Sequence, residues 1–227
     1  MTENTKALTN LDPKITTFQN QLYAKYDLAN QTVTPGQTVF VGSSLMEIFP
    51  IERFQTEQEL NLTQHIYNRG VRATTTADLL AHLTTQVPAL KPSRLFINIG
   101  SNDLGFNVSE ATFFANYTTI LTRIHAELPD TQIFVMAFYP INAVADFGED
   151  HQEHQQFFEF RSNDRIDAAN QKVQQLVAGL PNVTFIDASA GLRDKAGNLR
   201  QELTFDGAHL LPDGYQIILN NLMPYLQ

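Results

Sequence analysis

Five residues of this sequence have types and positions suited to acyl transfer: Ser44, Gly70, Asn102, Asp206 and His209. A serine hydroxyl is a poor nucleophile until a base takes its proton during attack. His209 is the base best placed to do so, and Asp206, three residues earlier, can bond its Nδ1 within one short turn. Such a bond fixes the tautomer, leaves Nε2 to the serine and stabilises the imidazolium that forms. The tetrahedral oxyanion then needs fixed donors. The candidates are the backbone N–H groups of Ser44 and Gly70 and the side-chain amide of Asn102. Losing one such donor typically costs about 10²–10³ in turnover.

The elements that must position these residues follow from the hydrophobic pattern. An apolar run from Thr38 to Val41 stops at Gly42-Ser43-Ser44, the outline of a strand delivering a serine to a sheet edge. Further strands are expected over Leu62 to Tyr67, closed by Asn68-Arg69-Gly70, over Ser93 to Ile99, ending at Gly100-Ser101-Asn102-Asp103, over Thr131 to Phe138, and over Asn182 to Ile186. Helical spacing separates them. Pro13 opens a first helix with Ile15, Phe18, Leu22 and Tyr26 inward. Thr74 to Val87 carries Leu79, Leu80, Leu83 and Val87 inward. Ser109 is placed to cap a helix bearing Phe114, Tyr117, Leu121, Ile124 and Leu128. Ile166, Ala169, Val173, Leu176 and Val177 form another stripe, and Pro212 opens a last helix with Ile217, Ile218, Leu222 and Leu226. Helices between buried strands imply a parallel sheet covered on both faces. The expected fold is α/β, three-layer α/β/α, with a flavodoxin-like five-stranded sheet in the order 2-1-3-4-5. Ligands sit at the carboxyl ends of such strands, which is where Ser44, Gly70 and Asn102 fall.

The chain has 227 residues, enough for one domain over 1–227, and neither an internal repeat nor a Gly/Ser linker divides it. The absence of cysteine excludes disulfides, thiolate metal sites and a cysteine nucleophile. A net charge of −9 argues against a general nucleic-acid binder, since phosphate contacts need clustered Lys and Arg. No apolar run approaches the about 18–20 residues of a membrane helix, and Met1 to Asn10 lacks the pattern of a signal peptide. The expected location is the cytoplasm.

In order, Gly-x-Ser at 42–44, Gly70, Gly-Ser-Asn-Asp at 100–103 and Asp-Gly-Ala-His-Leu at 206–210 resemble the SGNH hydrolases, or GDSL-type lipases and esterases. Within them the chain is similar to the branch of the platelet-activating-factor acetylhydrolases. The resemblance spans most of the chain. It implies Ser44 as nucleophile, Gly70 and Asn102 as oxyanion donors beside the Ser44 N–H, and Asp206 with His209 as the acid–base pair. It also implies no cofactor and no metal, a small-molecule ester as substrate, and preference for short acyl groups, acetyl above all. A carbohydrate O-deacetylase or a thioesterase would use the same machinery. A catalytically silent binding module on the same fold is the alternative of a different class. Homo-oligomerisation is left open, since no stretch declares itself an interface.

The chain departs from the family signature at one position: Ser43 stands where Gly-Asp-Ser-Leu has its aspartate. A hydroxyl thereby replaces a carboxylate that supports local N–H groups, and a second serine becomes a rival nucleophile. Adjacent side chains on a strand face opposite ways, so Ser43 and Ser44 are not expected to face one pocket together. Asp103 is expected to be a structural acceptor. His151 and His154, amid Glu149, Asp150 and Glu153, read as part of a solvated acidic loop rather than a metal site. The segment 140–162 is long and mixed, with Phe157, Phe158 and Phe160. Its rings either pack a helix start into the core or form a lid beside the strand ends.

Overall fold

The computed structural model of the chain describes residues 11–148 and 150–227. Residues 1–10, read above as free of a signal peptide, and Glu149 lie outside the described residues. In chain order the elements are α1 (Pro13–Ala29), β1 (Thr38–Gly42), α2 (Ser44–Glu47), α3 (Ile51–Glu57), β2 (Ile66–Asn68), α4 (Thr76–Ala81), α5 (Leu83–Gln86), β3 (Arg94–Asn98), α6 (Ser101–Gly105), α7 (Glu110–Glu127), β4 (Gln132–Met136), α8 (His151–Phe158), α9 (Asn163–Val177), β5 (Val183–Ile186) and α10 (Pro212–Leu226). Among the described residues no helix is long and apolar enough to cross a membrane.

The five strands form one parallel sheet in the order β2-β1-β3-β4-β5, as expected. Side chains alternate between its faces. Val39, Val41, Leu95, Ile97, Ile133 and Val135 join one core with buried residues of α4, α7 and α9. Phe40, Phe96 and Met136 join the other with buried residues of α2, α3 and α10. Phe40, Phe96 and Phe134 are in register across β1, β3 and β4 and stack at 4.6 and 4.7 Å. Burial on both faces therefore fixes the registers that set the heights of the strand ends.

Three expectations need correction. Strand β2 has three residues, not six. Just before it, the Gln37 side chain accepts from His65 N–H, a donor on the side that faces β1, while Gln55 accepts from Ile66 N–H and donates to Gln64 O along the free edge of the strand. Helix 74–87 is two short helices broken at His82, whose ring stacks on Tyr23 at 3.7 Å. Helix α1 buries Gln19, Tyr23 and Tyr26, while Phe18 is exposed. The inward face is polar-tipped because it meets backbone: Gln19 donates to Arg72 O and Tyr26 to Gly70 O. The Ser109 cap is present, its hydroxyl accepting from Thr112 N–H.

Candidate active site

The site forms at the carboxyl edge of the sheet. β1 ends at Gly42, Ser43 caps α2, and Ser44 is its first helical residue. That position leaves the Ser44 N–H without an intrahelical acceptor. Ser43 is buried, and its hydroxyl has no partner among the described residues. Its carbonyl accepts from the N–H groups of Met46 and Glu47, which closes the turn. Of the two serines it is Ser44 that reaches the histidine: its Oγ lies 2.8 Å from His209 Nε2.

His209 Nδ1 lies 2.6 Å from Asp206 Oδ2, and Asp206 Oδ1 accepts the backbone N–H groups of Ala208 and His209. Burial works against the charge on Asp206. The hydrogen bond and charge of His209, together with those two N–H groups, prevail and hold the carboxyl below its ordinary value. An ionised Asp206 favours the His209 tautomer with its proton on Nδ1, the form in which Nε2 can accept one. Thr204 supports the loop: its hydroxyl donates to His209 O and accepts from Gly207 N–H. Asp206 and His209 side chains keep 33% and 22% exposure, so solvent reaches both. The exposed ring of Phe205 lies parallel to the His209 imidazole, 5.7 Å between centroids.

The expected oxyanion donors differ in their state. Asn102, on α6, donates one Nδ2 hydrogen to Thr74 O, which leaves a second hydrogen on the same nitrogen. The Gly70 N–H is engaged: it donates to Asn68 Oδ1 at 2.9 Å. Glycine is required here for another reason. A Cβ on Gly70 would fall on the backbone of Met46 and Glu47, so the residue lets the β2 end lie directly against α2. Asp103 is, as expected, a structural acceptor. It is buried and takes the N–H and hydroxyl of Thr76, which binds α6 to α4. Burial pushes its carboxyl up to about 7 despite those bonds.

Several supporting residues carried no signal in the sequence. Asn68 donates to Met46 O and Phe49 O and so holds α2 from below. Glu47 pairs with Arg72 and accepts its backbone N–H. Tyr215 donates to Leu45 O, and Arg161 donates to Asn102 Oδ1. Each is an ordinary residue type whose role depends on a partner distant in sequence. A cavity of about 840 Å³ opens between α1 and the β2 edge, yet Ser44, Asp206 and His209 do not line it.

The acidic stretch around His151 and His154 is solvent-exposed as expected, but it is helical rather than a loop. Asp150 caps α8, His154 Nε2 lies 3.0 Å from Ala143 O, and Phe158 is buried. The segment 140–162 also touches the loop that carries Asp206 and His209. Asn142 N–H donates to Gly207 O at 2.7 Å, and the rings of Phe147 and Phe158 close over Gly207.

The model of the GDSL-like Lipase/Acylhydrolase family matches residues 50–217, so its match begins after Ser44. Platelet-activating factor acetylhydrolase IB subunit alpha2 of Gallus gallus is 23% identical over 185 residues, covering 81% of this chain and 73% of its own. A Streptococcus pneumonia structure described under the name platelet activating factor superposes with a TM-score of 0.83 at 29% identity, covering 99% of this chain and 100% of its own. Axe2, an acetylxylan esterase from Geobacillus stearothermophilus, shares the fold with a TM-score of 0.61 at 17% identity, over 86% of this chain and 95% of its own.

Proposed function

The chain belongs to the GDSL-like lipase/acylhydrolase family and is a carboxylic ester hydrolase, and from that premise we propose that it cleaves short-acyl esters through an acyl-enzyme on Ser44. The observation that carries this reading is the unbroken run from Ser44 Oγ to His209 Nε2 and from His209 Nδ1 to Asp206 Oδ2, at 2.8 and 2.6 Å.

Ser44 Oγ attacks the ester carbonyl carbon while its proton passes to His209 Nε2. The imidazolium is stabilised by the Asp206 carboxylate. Negative charge on the carbonyl oxygen is met by the Ser44 N–H and the free Asn102 amide hydrogen. Gly70 becomes a third donor where the substrate oxygen displaces Asn68 Oδ1. The tetrahedral adduct collapses, and the alkoxide leaves with the proton from His209. Water then attacks the acyl carbon as His209 takes its proton, and the acid departs with Ser44 restored.

Acetyl is the preferred acyl group in this reading. The named activities of the Gallus gallus and Geobacillus stearothermophilus proteins both remove acetyl. A sugar O-acetyl ester is a second substrate class, favoured by the exposed Phe205 ring beside His209, since an exposed aromatic face can carry a sugar ring. The segment 140–162 supplies a wall of the substrate site through its contact with Gly207. A fluorophosphonate probe tests the mechanism. Labelling in wild type and none in Ser44→Ala is expected, whereas an unlabelled, folded wild type would favour a silent binding module.

A further inference from the structure

Arg161 stands between α8 and α9 and takes no part in the acyl-transfer steps. Its guanidinium lies over the Phe157 ring at 4.4 Å, near the Phe106 ring at 5.7 Å, and donates to Phe157 O. It occupies the space left by Gly105, where a Cβ would fall on the guanidinium itself. Among the described residues it forms no ion pair. Burial pulls its pKa down to about 10, and the charge of Asp206 works against that. A largely buried cation whose nearest balancing charge, Asp206, makes no ion pair with it is costly, so the position calls for an explanation beyond packing.

Its remaining contact supplies one. Arg161 Nη2 donates to Asn102 Oδ1 at 3.3 Å, while Asn102 Nδ2 donates to Thr74 O at 2.9 Å. A guanidinium can only donate and a carbonyl can only accept. The Asn102 amide therefore has a single orientation, clamped at both ends, with one Nδ2 hydrogen uncommitted. A cation bonded to an amide oxygen also draws electron density from the nitrogen, and linked hydrogen bonds polarise one another.

We propose that Arg161 is a positioning residue for the oxyanion site, locking the Asn102 amide and strengthening its free N–H as a donor to the tetrahedral intermediate. The role rests on the esterase reading above. The competing role is local: Arg161 would only pack the junction of α8 and α9. The two differ in whether Arg161 acts through Asn102.

The test is a double-mutant cycle in p-nitrophenyl acetate hydrolysis, with kcat and KM for wild type, Arg161→Gln, Asn102→Ala and the double variant. Arg161→Gln is expected to lower kcat about tenfold, equivalent to about 1.4 kcal/mol, with KM little changed. In the Asn102→Ala background it is expected to change nothing further. An equal loss in both backgrounds, or no loss in either, would overturn the proposal. Should Arg161→Gln not fold, Arg161→Lys enters the same cycle, because a lysine keeps the charge and loses the planar fork. Absence of Ser44-dependent hydrolysis in wild type would overturn the esterase reading, and this role would fall with it.

Discussion

Tyr215 donates its buried hydroxyl to the carbonyl of Leu45 at 2.9 Å. This ties the helix that follows His209 to the turn that follows Ser44, two pieces of chain 170 residues apart. The ring itself stacks on Phe49 at 4.9 Å, so the bond sits on a packed base. Tyr215→Phe keeps the ring and leaves the Leu45 carbonyl unpaired in the core. We expect a loss of about 1–3 kcal/mol of stability and a fall in kcat with KM little changed. Denaturant melts and steady-state kinetics on the pure variant check both. An unchanged kcat would show that the Ser44–His209 distance is held elsewhere.

In the proposed mechanism Asp206 sets the tautomer of His209. Asp206→Asn is expected to keep the fold while turnover drops by on the order of 10⁴, because the amide favours the wrong imidazole tautomer. Near-wild-type hydrolysis would remove Asp206 from the mechanism.

Burial of Asp103 is expected to make stability depend on pH. Burial pushes its carboxyl up to about 7 in the folded chain, against about 3.9 when unfolded. Between those values the folded state holds a proton that the unfolded state has released. Stability conferred through this residue is therefore greatest below about pH 4 and declines as pH rises toward 7. Asp103→Asn removes the titration. The stability of wild type relative to this variant should fall by a few kcal/mol between pH 4.5 and 8, since each tenfold difference in proton affinity is worth about 1.4 kcal/mol. A pH-independent difference would show that the carboxyl is ionised in the fold.

The contact between Asn142 and Gly207 makes 140–162 a neighbour of Asp206 and His209. Deleting 146–155 is expected to alter the preference among ester chain lengths and to raise KM several-fold while labelling of Ser44 persists. Unchanged preference and KM would leave the segment a structural cover for the core.

That Ser44, Asp206 and His209 lie together was legible because acyl transfer restricts residue types severely, and because a parallel sheet gathers its strand ends at one edge. They needed no knowledge of the packing around them. The sheet order was legible for a related reason: strands buried on both faces, such as β1 and β3, read as unbroken apolar runs. Legibility failed where side chains replaced backbone pairing. Gln37 takes the His65 N–H just before β2 while Gln55 covers the strand's free edge, and no propensity announces that. It failed again on α1, where Gln19 and Tyr26 turn inward to meet the carbonyls of Arg72 and Gly70. The engagement of Gly70 N–H by Asn68, and of Asn102 by Arg161, rests on neighbours that only the fold brings together.

Central to the proposed mechanism is Ser44 as the nucleophile in place of Ser43. Hydrolysis of p-nitrophenyl esters from acetate to decanoate by wild type, Ser44→Ala and Ser43→Ala tests it most directly. We expect wild type to favour the short esters, Ser44→Ala to be inactive, and Ser43→Ala to retain turnover, since the Ser43 hydroxyl is buried and unpartnered while Ser44 Oγ meets His209. Activity that survives in Ser44→Ala and disappears in Ser43→Ala would contradict this assignment.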